Sequence, residues 1–294
     1  MSIVTFWNDD REQSGKTLTT VAVGTKMAIE RNFKILILST AYQDPTMKNC
    51  FWTDTIQKKL KKFGGRNNNI AVENGIEGLS KLIKANKIQP SIITDYTKVI
   101  FKERLEVLSG YKGAEDNSEE EKLLDYIRTS ECYPELIRLA NQYYDMVLVD
   151  VDNQLEPKIK KQILDMADLN ILVITQRLAS LNKYNELKEN HKELINLKNM
   201  RVIGKYDRNS KYNRKNILRY LDEKKDISII PYNTLYFESA EEANVTELFL
   251  KLRDIKDTTD ENYFFMSEVL ALVDKIVKRL QELQLKKRWK NDTI

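Results

Sequence analysis

The chain is poor in the residues that build metal centres and catalytic relays. Of its 294 residues only Cys50 and Cys132 are cysteine, and no C-x-x-C occurs, which argues against a disulfide framework and a cysteine zinc site. His191 is the single histidine. One imidazole argues against a Ser-His-Asp or Cys-His relay and a multi-histidine metal site, so His191 reads as a solvated helical residue. Nine glycines and five prolines are too few for a loop-built or collagen-like chain. An excess of one charge is lacking too: 48 Lys+Arg oppose 44 Asp+Glu, a net of +4, so charge alone makes no case for nucleic acid. No stretch reaches the about 18 apolar residues of a membrane-spanning helix, and residues 1–7 carry no basic leader region. These absences lead to the expectation of a cytoplasmic protein.

What is present is a globular balance, 41% hydrophobic and 31% charged, in a length that fits one large α/β domain or two small ones. Ile3 to Trp7 is a β-branched and aromatic run, followed by polar residues and then Gly15-Lys16-Thr17, which predicts strand, loop and helix. Leu18, Val21, Ala22, Thr25, Ala28 and Ile29 recur at helical spacing. Ile35 to Leu38, Met146 to Asp150, Asn170 to Thr175, Arg201 to Ile203 and Ile227 to Ile230 are apolar runs of the kind buried parallel strands give. Leu105 to Leu108 is a further candidate strand in a less regular stretch from Tyr42 to about Gln142, and Leu123 to Tyr144 carries helical spacing broken around Cys132 to Pro134. The alternation predicts an α/β fold, a doubly wound and mostly parallel sheet flanked by helices, with ligands at the carboxyl ends of its strands.

Ser14-Gly15-Lys16-Thr17 would open a helix directly after a strand, where backbone N–H groups and the helix dipole hold phosphate. Lys16 would reach the β and γ oxygens, and the Thr17 hydroxyl would complete a Mg²⁺ shell. A bare Gly-Lys-Thr also occurs in chance exposed loops. Asp150 ends an apolar strand and would hold a Mg²⁺-bound water; alone, it would read as a turn cap. The pair favours a nucleotide site.

Here the sequence resembles the deviant-Walker P-loop ATPases of the MinD/ParA class, whose loop reads K-G-G-x-G-K-T against Arg11-Glu12-Gln13-Ser14-Gly15-Lys16-Thr17 in this chain. The resemblance extends through Tyr144 to Asp150, Ala167 to Thr175, and Ile230-Pro231-Tyr232-Asn233 before Phe237-Glu238-Ser239-Ala240, over roughly residues 2 to 250. The order of segments looks most like the branch with the pilus-associated CpaE/TadZ proteins. It implies a nucleotide-binding domain over 1–255, and residues 256–294 form a C-terminal amphipathic helix and basic tail. It also implies ATP and Mg²⁺ as cofactors, an ATP-dependent homodimer, and protein partners in a larger assembly. Ser14, Gly15, Lys16, Thr17 and Leu18 would hold phosphate, Thr17 and Asp150 the metal, and Pro231 and Tyr232 would lie near the base.

The loop departs from the family pattern where it faces the phosphates, making it a degenerate P-loop. Glu12 and Gln13 stand where glycines let the backbone approach. A carboxylate about 4 Å from a phosphate charge costs from about 1 kcal/mol in water to about 4 kcal/mol at a surface-like dielectric, so Asp9, Asp10 and Glu12 must point away for binding to be strong. In the family the lysine at the Arg11 position crosses a dimer interface; Arg11 keeps the charge with a different fork, or simply neutralises the neighbouring acids. The family's D-x-D after the second strand falls on Ser39 and Ala41. Ala41 cannot orient water, which leaves Asp44 either as the substitute carboxylate or as a turn residue before Pro45. Gly204-Lys205 lies where relatives carry an adenine-reading Asn, which weakens that contact.

The leading expectation is therefore a nucleotide switch with slow or impaired hydrolysis that recruits or positions an assembly such as a pilus or secretion system. A scaffold without catalysis, and a small-molecule kinase or ligase, stay open. Basic stretches from Lys58 to Arg66 and Lys205 to Arg219 read as solvated surface before they read as a DNA face. The segment Tyr263 to about Leu285 places Val269, Leu272, Val273, Ile276, Leu280 and Leu283 on one face and ends in Lys286-Lys287-Arg288-Trp289-Lys290. It is either a closing core helix with a basic end or a peripheral contact to a partner or to the inner face of the cell membrane.

Overall fold

Strand residues that alternate between two covered faces must be apolar at every position, and the runs found in the sequence form such strands. The computed structural model describes residues 1–9, 13–53, 75–114, 116–191, 198–224 and 227–291, with side chains as far as Lys286. Its strands are β1 (Ser2–Trp7), β2 (Ile35–Ser39), β3 (Lys98–Phe101), β4 (Leu105–Leu108), β5 (Met146–Asp150), β6 (Leu169–Ile174), β7 (Asn199–Tyr206) and β8 (Ser228–Pro231). They form one sheet in the order β3-β4-β2-β5-β1-β6-β7-β8. Every neighbouring pair is parallel except β3 with β4.

Alternate residues of each strand enter two cores. Val4, Phe6, Ile35 and Ile37 face one side, and Ile3, Trp7, Leu36 and Leu38 the other. The first core is covered by α1 (Lys16–Glu30), which buries Val21, Ala22, Val23 and Met27. The closing helix Glu261–Asn291 covers it as well, burying Phe265, Val269, Leu272, Val273, Ile276 and Leu280. Near its far end, Gln284 Nε2 donates to Ser2 Oγ at 3.2 Å. Its apolar face thus serves the core through Leu280 and the partly buried Leu283, while Leu285 is exposed. No helix among the described residues is long and apolar enough to cross a membrane.

Several elements differ from the sequence expectation. The helical spacing read over Leu123 to Tyr144 begins earlier, at Glu119, where Ser118 and Glu121 form a capping box; the break expected around Cys132 to Pro134 is present, between Ser130 and the second helix, Tyr133–Ala140. A helix over Ile76–Lys84, a 3₁₀ turn over Pro90–Tyr96 and the edge strand β3 were not expected. His191 follows the helix Leu178–Asn190 as its exposed C-cap, not a residue within it. Cys50 and Cys132 are buried free thiols.

Candidate functional site

The strand order puts β1 between β5 and β6, so the loop leaving β1 and the carboxylate ending β5 meet at the carboxyl edge of the sheet. Gly15 precedes α1 with a φ of 78°, a left-handed conformation that glycine adopts without a Cβ penalty. It turns the chain so that Lys16 and Thr17 open the helix. Thr17 Oγ1 donates to Asp150 Oδ2 at 2.8 Å. Lys16 Nζ donates to the Val151 carbonyl at 2.5 Å and lies 2.9 Å from Asp150 Oδ1. The sequence-predicted trio is thus one constellation.

Asp150 is 1% exposed. Both of its oxygens are engaged, Oδ2 by the Thr17 hydroxyl and Oδ1 by the Lys16 ammonium at 2.9 Å. A hydroxyl beside a carboxylate suits a Mg²⁺ ion completed by water and phosphate, once phosphate draws Lys16 away. No cluster of three or more His, Cys, Asp or Glu among the described residues is placed to hold a metal by itself.

A cleft of about 840 Å³ opens over this constellation, lined among others by Gln13, Ser14, Ala41, Asp44 and Lys205. Asp44 Oδ1 accepts from the Thr46 amide at 2.9 Å and the Thr46 hydroxyl at 2.5 Å, which makes it a turn residue while it lines the cleft. Leu18, Pro231 and Tyr232 line a smaller adjoining pocket, of about 50 Å³, together with Gly15, Lys205 and Tyr236. Arg11, Asp10 and Glu12 lie outside the described residues, as does the stretch from Lys58 to Arg66. In the other basic stretch, Arg208 pairs with Glu261 at 3.1 Å.

Two residues of the site were not legible in the sequence, and a third was marked there only for a weakened base contact. Asp152, just past β5, lines the cleft; its carboxylate accepts from the Tyr42 amide at 3.1 Å and the Gln154 amide at 3.2 Å. Lys160 Nζ donates to the Asn8 carbonyl at 3.0 Å and to Asn153 Oδ1 at 3.2 Å, tying the chain before the loop to the chain after β5. Burial pushes the Lys160 pKa below its ordinary value; Asp9 works against this and Lys16 adds to it. The third is Gly204, whose close approach fixes the loop: a Cβ there would stand 2.2 Å from the Ser14 carbonyl oxygen.

No family model matches the chain, and no curated protein matches it in sequence. Solved structures do. The ParA family ATPase of Chlorobium tepidum TLS superposes with a TM-score of 0.65 at 15% identity, over 92% of this chain and 98% of that one. The septum site-determining protein MinD of Pyrococcus horikoshii OT3, complexed with Mg-ADP, gives 0.62 at 15% identity over 94% and 97%. MinD in the Aquifex aeolicus MinC:MinD complex gives 0.59 at 13% identity over 95% and 96%. The chain has the MinD/ParA fold. At this identity the likeness is one of architecture.

Proposed function

We propose that this chain is an ATP-binding nucleotide switch of the MinD/ParA type. The observation that carries this reading is the contact of Lys16 and Thr17 with Asp150 at the carboxyl edge of the sheet. The amides of Ser14 to Leu18 and the Lys16 ammonium hold the phosphates, Thr17 and Asp150 hold Mg²⁺, and Pro231 and Tyr232 border the base. Bound Mg²⁺ supplies charge stabilisation to the phosphoryl oxygens. Asp44 orients water through Oδ2, since Oδ1 is engaged by Thr46. Ala41 offers no carboxylate, so hydrolysis is slow. Arg11 supports the second subunit of an ATP-dependent homodimer.

The Mg-ADP in the Pyrococcus protein and the MinC partner of the Aquifex protein support this reading by analogy. The dimer recruits or positions a larger assembly, of the pilus or secretion kind that the CpaE/TadZ branch serves. Its place is the cytoplasm and the inner face of the cell membrane. Membrane contact is confined to the helix beyond Leu283, because the apolar face before it packs on the core.

A scaffold that works without nucleotide is the second reading. It is favoured by the inward pairing of Lys16 with Asp150 and the Val151 carbonyl, which a phosphate must displace. Calorimetry with Mg-ATP on the wild type and Lys16→Ala separates the two. A switch shows saturable binding that the substitution removes; equal silence in both proteins leaves the scaffold.

A further inference from the structure

The pairing of β7 with β8 proceeds from Val202↔Ser228 and Ile203↔Ile229 directly to Tyr206↔Pro231. Two residues, Gly204 and Lys205, therefore oppose the single residue Ile230. Such a bulge is rare between parallel strands, and bulges beside sites re-aim a side chain. Lys205 carries a φ of 49°, a left-handed conformation unfavourable for a lysine. The conformation directs its stem across the phosphate loop, since a Cβ built on Gly15 would meet Lys205 Cγ at 3.0 Å. Lys205 is exposed and lines both the phosphate cleft and the small apolar pocket. None of the salt bridges or hydrogen bonds among the described residues involves its ammonium.

We infer that Lys205 is a second phosphate ligand of the same chain, gripping the end of the polyphosphate nearest the base. The inference rests on the nucleotide reading above. Lys16 lies at the floor of the cleft against Asp150, whereas Lys205 stands at the border with the pocket bounded by Pro231 and Tyr232. A chain of phosphates running from one to the other passes beneath the Lys205 ammonium. The strained backbone is explained by this placement: a glycine at 205 would sit more comfortably but would bring no charge.

The test is Lys205→Gly in the full chain, with Mg-ADP affinity measured by calorimetry at low and high salt beside wild type, Lys205→Arg and Lys16→Ala. The ligand-free glycine variant is expected to melt at a higher temperature than wild type because strain is relieved. Its affinity at low salt is expected to fall about tenfold, the order of one lost hydrogen bond to a charged group. That gap should narrow as salt rises, and Lys205→Arg should stay near wild type. Equal affinity of wild type and Lys205→Gly at low salt overturns the inference and leaves the nucleotide reading standing. A salt-independent gap also overturns it, because it reports pocket shape and not charge. Should Lys205→Gly melt lower, Lys205→Asn, which also tolerates a positive φ, is judged on the same affinities. If wild type binds no nucleotide, both readings fall together.

Discussion

Thr17 Oγ1 donates to Asp150 Oδ2 at 2.8 Å across 133 residues of chain. A hydroxyl at the start of a helix and a carboxylate at the end of a strand meet because β1 and β5 are adjacent and in register from Ser2↔Met146 to Phe6↔Asp150.

In the ligand-free protein Lys16 is the cation that neutralises a carboxylate 1% exposed. Removing it leaves the Asp150 charge buried, so Lys16→Ala should lose about 3 kcal/mol of stability. Adding Asp150→Asn should restore most of that loss, since no charge is then stranded. Urea unfolding of the two variants and wild type measures this coupling; a single variant as stable as wild type would refute it.

Gly204→Ala places a methyl group 2.2 Å from the Ser14 carbonyl oxygen. Neither backbone can yield freely, because β7 is held between β6 and β8. The expected loss is about 2 kcal/mol, accompanied by weaker nucleotide binding as the loop is displaced. Chemical denaturation and calorimetry on the same preparation read both effects.

Asp44→Asn retains an oxygen for the Thr46 bonds but loses the charge that polarises water. Turnover is expected to fall by about 10²-fold with Mg-ATP affinity nearly unchanged. Single-turnover kinetics provide the measurement. Unaltered hydrolysis would remove Asp44 from the mechanism and turn attention to Asp152, the other carboxylate at that rim.

Alkaline pH should destabilise the protein. Burial raises the pKa values of Tyr126, Tyr133, Tyr144 and Tyr236 above the usual tyrosine value. Between about pH 10 and those raised values the folded state keeps protons that the unfolded state has released. Stability is therefore fully present below about pH 10 and lost as pH rises further. Tyrosinate absorbance should show these groups ionising together with loss of the fold; smooth titration of all tyrosines in the folded protein would contradict this.

The central strands were legible because both of their faces are covered, which forces an unbroken apolar run such as Val147-Leu148-Val149. The edge strand β3 was not, since Lys98 and Val99 are exposed and its single pairing is with β4. The helix Ile76–Lys84 offers only a short stripe of Ile76, Leu79 and Ile83, too brief to stand out. Within the site, Lys16 and Thr17 announced themselves as a contiguous motif and Asp150 as the polar end of an apolar strand. Lys205 was marked only by the Asn it lacks, and Lys160 carries no such local mark. Their positions follow from a bulge and from a helix crossing the site, both products of tertiary pairing.

The placement of β1 has a further consequence for synthesis of the protein. Its only ladder neighbours are β5 and β6, over residues 146–150 and 169–174. During synthesis β1 must therefore wait until the chain has been extended past residue 146 before it has a partner. Contacts this distant in sequence form slowly and leave apolar segments uncovered meanwhile. The phosphate loop is thus translated well before the strand that shapes it, and a nascent chain ending short of β5 lacks the carboxylate that Lys16 and Thr17 contact.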